Sequence, residues 1–230
     1  MKKMFLKRMA CGALLAAMLT LPTYAWEIHH QDLTDVEVTF EGDSASGVSD
    51  WARDEVAAAM EAGLVPQFAG DPSFKDAITR EQFAQLVVQT VEVIQDKELP
   101  AAAGGTFSDS DSLAIRKASQ AGIVTGTGGG KFAPTLTTNR EQIATMLYRA
   151  VDTIETATGV DLAPKAGSLD GYTDRASVSS WAAEGVGALA ANGIMKGSGS
   201  VLSPQEPCSV EQAILLTWRM YHQYVGHTGW

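Results

Sequence analysis

Cysteine is almost absent from this chain of 230 residues, which holds only Cys11 and Cys208. Cys11 falls in a segment expected to be removed, so Cys208 stands alone. No internal disulfide is then available, and stability has to come from a packed core. Cys208 beside a helix start reads either as a reactive thiol or as a small buried filler. Positive charge is also scarce. Seventeen Lys and Arg face 27 Asp and Glu, a net charge of −10. That field excludes binding to nucleic acid or an anionic lipid surface through overall charge, so any anionic partner has to be held by local cations. Long apolar runs are missing too. Gly12 to Leu21 is too short to span a bilayer. Lys2, Lys3, Lys7 and Arg8 precede it and Thr23-Tyr24-Ala25 follows, so residues 1–25 read as a signal peptide cut before Trp26. Cys11 precedes the apolar run, unlike a lipoprotein cysteine. Cleavage takes four basic residues and no acidic one, leaving 13 against 27 and a net charge of −14. Histidine gives no metal site: His29 and His30 are adjacent and point apart, no third ligand is placed by spacing, and His222 and His227 are uninformative. Gly128-Gly129-Gly130 has no following Lys-Ser/Thr, so it is a turn and not a phosphate loop. No cofactor is expected.

What is present is repetition. Thr79-Arg80-Glu81-Gln82 returns as Asn139-Arg140-Glu141-Gln142 and as Ser209-Val210-Glu211-Gln212. Each copy begins with a residue whose side-chain oxygen caps a helix and carries Gln three positions on, the capping-box spacing. Phe83, Leu86, Val87, Thr90, Val91 and Ile94 then follow as one apolar stripe. Ile143, Met146, Leu147, Ala150, Val151 and Ile154 keep the same offsets, as do Ala213, Leu216, Thr217, Met220, Tyr221 and Tyr224.

A shorter helix precedes each of these. In the first copy Ser49 or Asp50 is the expected cap, Trp51, Val56, Ala59 and Met60 the apolar positions, and Gly63 the end. The second carries Ile115 and Ala118 and ends at Gly122. The third carries Trp181, Val186, Leu189 and Ala190 and ends at Gly193. Trp51 to Gly63 and Trp181 to Gly193 are both 12 residues, and glycine to capping-box Glu is 18, 19 and 18. The organisation is a polar, acidic lead-in over 26–47, with a short strand expected through Val36, Val38 and Phe40. Repeats follow at 48–98, 106–156 and 171–225, joined by linkers with Pro100, Gly104 and Gly105 or over Thr156 to Gly171. Units this small cannot bury their stripes alone, so the three are expected to share one core.

The ordered pattern resembles the S-layer homology family of bacterial cell-surface modules. The residues carrying the likeness are Phe107-x-Asp109 and Tyr172-x-Asp174 at repeat starts, Trp51 and Trp181, and Gly122-Ile-Val-x-Gly126 and Gly193-Ile-Met-x-Gly197. Phe132-x-Pro134, Ile78-Thr-Arg-Glu81 and Thr138-Asn-Arg-Glu141 complete it. The resemblance covers about residues 42–224. It implies an all-α fold, with three helix-loop-helix repeats in a pseudo-threefold unit around a central three-helix bundle. It also implies secretion to the cell surface and non-covalent binding of an anionic, often pyruvylated, secondary cell-wall polysaccharide in grooves between repeats. The departures are Val210 in place of Arg, Ser110 in place of Trp, Asp43 one residue off the first Asp position, and Leu64-Val65-Pro66 in place of the first Gly-Ile-x-x-Gly turn. At most two competent grooves are expected.

The candidate ligand-binding residues are Arg80, Arg140, Trp51, Asp50, Asp109, Asp174, Trp181, Gly126 and Gly197. An Arg in the first helical turn opposes the helix dipole, yet with free backbone N–H groups beneath it would suit an anion. The alternative is that each Arg pairs with a nearby carboxylate. Trp51 and Trp181 are either core or stacking platforms for a sugar; Asp109 and Asp174 either accept sugar hydroxyls or brace a turn. A second functional class is a surface protein whose repeats pack against other envelope proteins, a reading with which the aromatic segment 218–224 is compatible. A glycosidase using Glu81, Glu141 or Glu211 is disfavoured, because three symmetric carboxylates do not supply an acid and a base in different environments. No enzymatic activity is expected.

Overall fold

The computed structural model describes residues 47–228; the expected signal peptide, most of the lead-in, His29-His30 and the strand through Val36 to Phe40 lie outside the described residues. Six α-helices and no strand occur among the described residues: α1 (Arg53–Glu61), α2 (Arg80–Gln95), α3 (Leu113–Gln120), α4 (Arg140–Thr158), α5 (Ala183–Ala191) and α6 (Val210–Thr228).

The long helices start where the spacing places them. Thr79 and Asn139 each accept the backbone N–H of the Gln three residues on, and that Gln accepts the cap's own N–H, so both capping boxes close. Ser209 and Gln212 exchange the same pair of bonds at 3.3 Å. The stripes of α2 and α4 are fully buried; that of α6 is buried through Met220, with Tyr221 and Tyr224 half-buried against the core. α2, α4 and α6 pack on one another as the central bundle. Gly63, Gly122 and Gly193 follow the short helices at φ +72°, +74° and +74°, the left-handed conformation that glycine adopts without strain.

The short helices do not pack on their own partners. α3 lies on α2, α5 on α4, and α1 on α6. Each first helix therefore belongs to the second helix of the preceding repeat, and the chain's first and last described helices close the circle. The two helices of one repeat are thus joined by a loop without packing on each other, and the three repeats share one core, as expected. The cause is legible at the helix starts. Glu141 Oε2 and Oε1 accept Ser179 N–H and Oγ–H at 2.9 and 2.8 Å, and Glu211 holds Ser49 through both oxygens at 2.9 Å. Both carboxylates are buried. Ser49 is therefore occupied with α6, and Asp50 pairs with Arg53 at 2.6 Å, so neither caps α1 as expected; α1 has no side-chain cap.

Around the axis the three pre-helical segments join. Ile78 N–H donates to the Cys208 carbonyl at 2.9 Å, Cys208 N–H to Thr138 at 3.0 Å, and Thr138 N–H to Ile78 at 3.0 Å, a closed ring of three backbone bonds. Cys208 is buried there and its thiol is pushed up to about 12 by burial, the filler reading. The linkers are tied down. Glu92 accepts Leu99 N–H and holds Lys117 at 2.6 Å, and Glu155 accepts the N–H groups of Leu162 and Ala163.

The Glu–Ser clamps are expected to carry stability unequally across the symmetry. Glu141→Ala and Glu211→Ala should each cost about 1.5–3 kcal/mol, the range for hydrogen bonds to a charged group. Glu81→Ala should cost less than about 0.5 kcal/mol, the usual span of surface changes, because Glu81 makes no side-chain hydrogen bond among the described residues. Urea unfolding midpoints at constant m-value check the difference.

Candidate functional site

The mouths of the three long helices are where the candidate residues gather. Each mouth is completed by the next repeat around the ring. Arg80 and Glu81 N–H groups donate to the Leu136 and Pro134 carbonyls; those of Arg140 and Glu141 donate to Glu206 and Pro204; those of Val210 and Glu211 donate to Asp76 and Phe74. The third donor in each turn goes to the cap side chain. The helix N-termini thus offer no free N–H groups, which corrects the expectation of a backbone anion site beneath the arginines.

The arginine side chains follow the same logic. Arg80 Nε donates to the Phe132 carbonyl at 2.8 Å and Nη2 to Thr125 at 3.0 Å. Arg140 Nε donates to Leu202 at 2.8 Å and Nη2 to Lys196 at 2.9 Å. Neither forms an ion pair among the described residues, so the pairing with a carboxylate does not occur. Each is a staple between repeats. Arg80 also lies over the Phe132 ring, its guanidinium carbon 4.6 Å from the centroid. Burial pushes both guanidinium groups down from the ordinary arginine value, against the attraction of Asp109 for Arg80 and of Cys208 and Asp174 for Arg140; Arg219 nearby lowers Arg140 further. Both remain cationic at neutral pH. At the third mouth the apolar, buried Val210 stands at the arginine position.

Asp109 accepts the N–H groups of Phe132 and Ala133 at 2.8 and 2.9 Å, and Asp174 those of Leu202 and Ser203 at 3.0 and 2.7 Å. They brace the turns whose carbonyls receive the arginines. These bonds, the first from Phe132 and Leu202, hold both carboxyls below the usual carboxylate range. Gly126 and Gly197 are small for a local reason. An added Cβ at Gly126 would meet the Lys131 carbonyl oxygen at 2.6 Å and the Phe107 ring at 3.0 Å; at Gly197 it would meet the Val201 carbonyl oxygen and, at 3.3 Å, the Tyr172 ring. The aromatic residue and the Asp that open a repeat thus clamp one loop together.

The tryptophans are not core. Trp51 is 60% exposed and Trp181 57% exposed. Trp181 lies two residues after Ser179, the residue held by Glu141 beside Arg140, so Arg140, Asp174, Trp181 and Gly197 belong to one mouth. The mouth of Arg80 holds Asp109 and Gly126 but has Ser110 in place of Trp. The mouth of Val210 holds Trp51 and the exposed Asp50, which is paired with Arg53, and has Val210 at the position of Arg80 and Arg140. Sequence reasoning missed the Glu–Ser clamps, although a Glu after each Arg and a Ser two residues before each Trp were visible. No group of three or more His, Cys, Asp or Glu placed to hold a metal occurs among the described residues.

The sequence model of the S-layer homology domain matches residues 108–144 and 171–214. An endoglucanase of Bacillus sp. (strain KSM-635) is 29% identical over 163 residues, 66% of this chain and 16% of the relative. An amylopullulanase of Thermoanaerobacterium thermosulfurigenes is 27% identical over 105 residues, 43% of this chain and 6% of the relative. The chain therefore aligns with a small part of either enzyme.

Two outcomes follow from the geometry. Arg140→Ala should orphan the buried Leu202 carbonyl, at about 1–3 kcal/mol, and the part-buried Lys196 carbonyl, and so cost more than Arg80→Ala, whose Phe132 bond is part-buried and whose Thr125 bond is exposed; thermal melts of the two variants check the order. The second concerns acid. A carboxyl whose folded pKa is depressed binds protons more readily unfolded, so its stabilisation is present at neutral pH and lost as pH falls through and below the usual carboxylate range. Asp109→Asn with Asp174→Asn should lower stability at pH 7 and flatten its decline between about pH 5 and pH 2, read from melting temperature against pH.

Proposed function

We propose that this chain, with S-layer homology repeats over 108–144 and 171–214, is a secreted anchoring module that holds an anionic polysaccharide of the cell wall. The S-layer homology domain is a cell-wall anchoring module. The ligand seat is the mouth built from α4 and the third repeat, and pyruvyl groups are the expected anionic element. The observation that carries the reading is the exposed Trp181 indole, two residues after the Ser179 that Glu141 holds, on the mouth whose Arg140 forms no ion pair among the described residues. An indole that remains in water in the free protein gains by covering a sugar face, and an un-neutralised guanidinium behind it favours an anionic sugar over a neutral one.

The other two mouths are each one residue short. The mouth of Arg80 has Ser110 where the others have Trp, and the mouth of Trp51 has Val210 where the others have Arg. They serve as weaker contacts along the same polymer, so multivalency rather than one tight pocket sets the overall affinity. The module is read as non-catalytic. Glu141 and Glu211 are occupied with Ser179 and Ser49, and no pair of carboxylates with opposed environments faces these mouths. The aromatic segment 218–224 does not favour the alternative of docking to envelope proteins, because Trp218, Tyr221 and Tyr224 pack against the chain's own core.

Co-sedimentation with purified wall polysaccharide tests the reading. Trp181→Ala, exposed and dispensable for folding, should weaken binding about tenfold or more, the scale of an aromatic hot spot. Trp51→Ala should weaken it less, and removal of pyruvyl groups should weaken the wild type. Unchanged binding by the Trp51→Ala/Trp181→Ala double variant would overturn it.

A further inference from the structure

The threefold arrangement has a second set of recesses, on the flanks of the bundle. Each lies between a long helix, the glycine turn of its own repeat and the short helix packed on it. Two are clefts of about 360 and 280 Å³. The second is near the low end of the roughly 300–1,000 Å³ of small-molecule sites. Their linings correspond position by position, because residues 63 and 193, and 80 and 210, are both 130 apart. Pro66 becomes Lys196, Val88 becomes Trp218, Gln89 becomes Arg219, and Glu92 becomes His222. Ala114 on α3 becomes Glu55 on α1. One flank is neutral to acidic, its Glu92 already holding Lys117. Its counterpart gathers Lys196, Arg219 and His222 around an indole, with Glu55 paired to Arg219, in a chain of net charge −10. The third equivalent position is filled: the Tyr148 side chain lies against Gly185, where an added Cβ would be 3.1 Å from Tyr148 Cβ, and its hydroxyl donates to Glu184 at 3.3 Å.

The open, cationic cleft is ordered at its base. Arg219 Nε and Nη2 donate to the two oxygens of Glu55 at 3.1 and 2.6 Å, leaving Nη1 uncommitted among the described residues. Gln223 Nε2 donates to the Asn192 carbonyl at 2.9 Å, so its amide oxygen remains an acceptor. His222 lies against Trp218 with ring centroids 5.8 Å apart. Lys196 and His222 are exposed and make no side-chain hydrogen bond among the described residues. The site thus offers cationic donors on one wall, an indole on another and neutral or anionic acceptors at the base.

We infer that the cleft between α1, α6 and the turn at Gly193 to Lys196 binds a sugar carrying a carboxylate. Lys196 and Arg219 meet the carboxylate, Trp218 meets the apolar ring face, and Gln223 and Glu55 accept hydroxyls. This extends the proposed function, since an acidic wall polymer would supply such a residue; the cleft adjoins the α4 mouth through Lys196, whose carbonyl accepts Arg140 Nη2, but its lining includes neither Trp181 nor Arg140. The functional difference between the flanks comes from substitutions at equivalent positions on one frame, with Gln223 in place of Val93 and Ala58 in place of Lys117 besides the five above.

Titration of the full chain with D-glucuronate and with D-glucose, followed by NMR of the Trp218 indole N–H, tests it. Glucuronate should bind at least about tenfold more tightly than glucose. Lys196→Gln/His222→Gln, two exposed changes that leave the Arg219–Glu55 pair in place, should weaken glucuronate about tenfold with an unchanged melting temperature. Trp181→Ala should leave glucuronate binding intact, which separates this site from the wall-polymer reading. Equal affinity for the two sugars, no shift of the Trp218 signal, or loss of glucuronate binding in Trp181→Ala would each overturn it.

Discussion

Everything in this molecule depends on one exchange: the first backbone N–H groups of each long helix are satisfied by carbonyls of the next repeat, not by water. A helix start normally leaves several donors without intrahelical partners. Here the cap takes one and the neighbouring loop takes two, and the pre-helical segments close a ring through Ile78, Thr138 and Cys208. No repeat can satisfy its own helix start, so none is a folding unit. The same logic places each short helix on the preceding repeat's long helix, by way of the Glu141–Ser179 and Glu211–Ser49 clamps.

That exchange also changes what the arginines mean. Position alone suggested cations poised over open helix ends. The structure gives them two carbonyl acceptors each, in loops that Asp109 and Asp174 hold in shape. A guanidinium used this way keeps its charge while losing water, so it supports the repeat interface and biases the adjoining surface toward anions at once. Stability and recognition are therefore not separable at Arg140. They are separable at Trp181, which holds nothing in place.

The helices were legible because their signals are local. Capping boxes at Thr79, Asn139 and Ser209, the stripes behind them, and glycines at 63, 122 and 193 all act within one or two turns. The shared core followed from repeat size. What sequence could not supply was partnership between distant residues: that Ser49 would turn to Glu211 instead of capping α1, that Trp51 and Trp181 would face water, and that loop carbonyls would fill the helix mouths. The spacing of Gly126 and Gly197 was visible, but the carbonyl oxygen and aromatic ring that forbid a Cβ there belong to residues four or more positions away or in an earlier segment. The asymmetry of the flank clefts was present as Pro66 against Lys196 and Glu92 against His222, yet it acquires meaning only once α1 is seen beside α6.

The central claim is that the mouth shared by α4 and the third repeat is where wall polymer sits. Hydroxyl-radical footprinting with and without purified wall polysaccharide reads this directly, since an exposed indole is oxidised unless covered. The account predicts strong protection of Trp181 and weaker protection of Trp51. Polymer bound with both indoles oxidised as fast as in the free protein would contradict it.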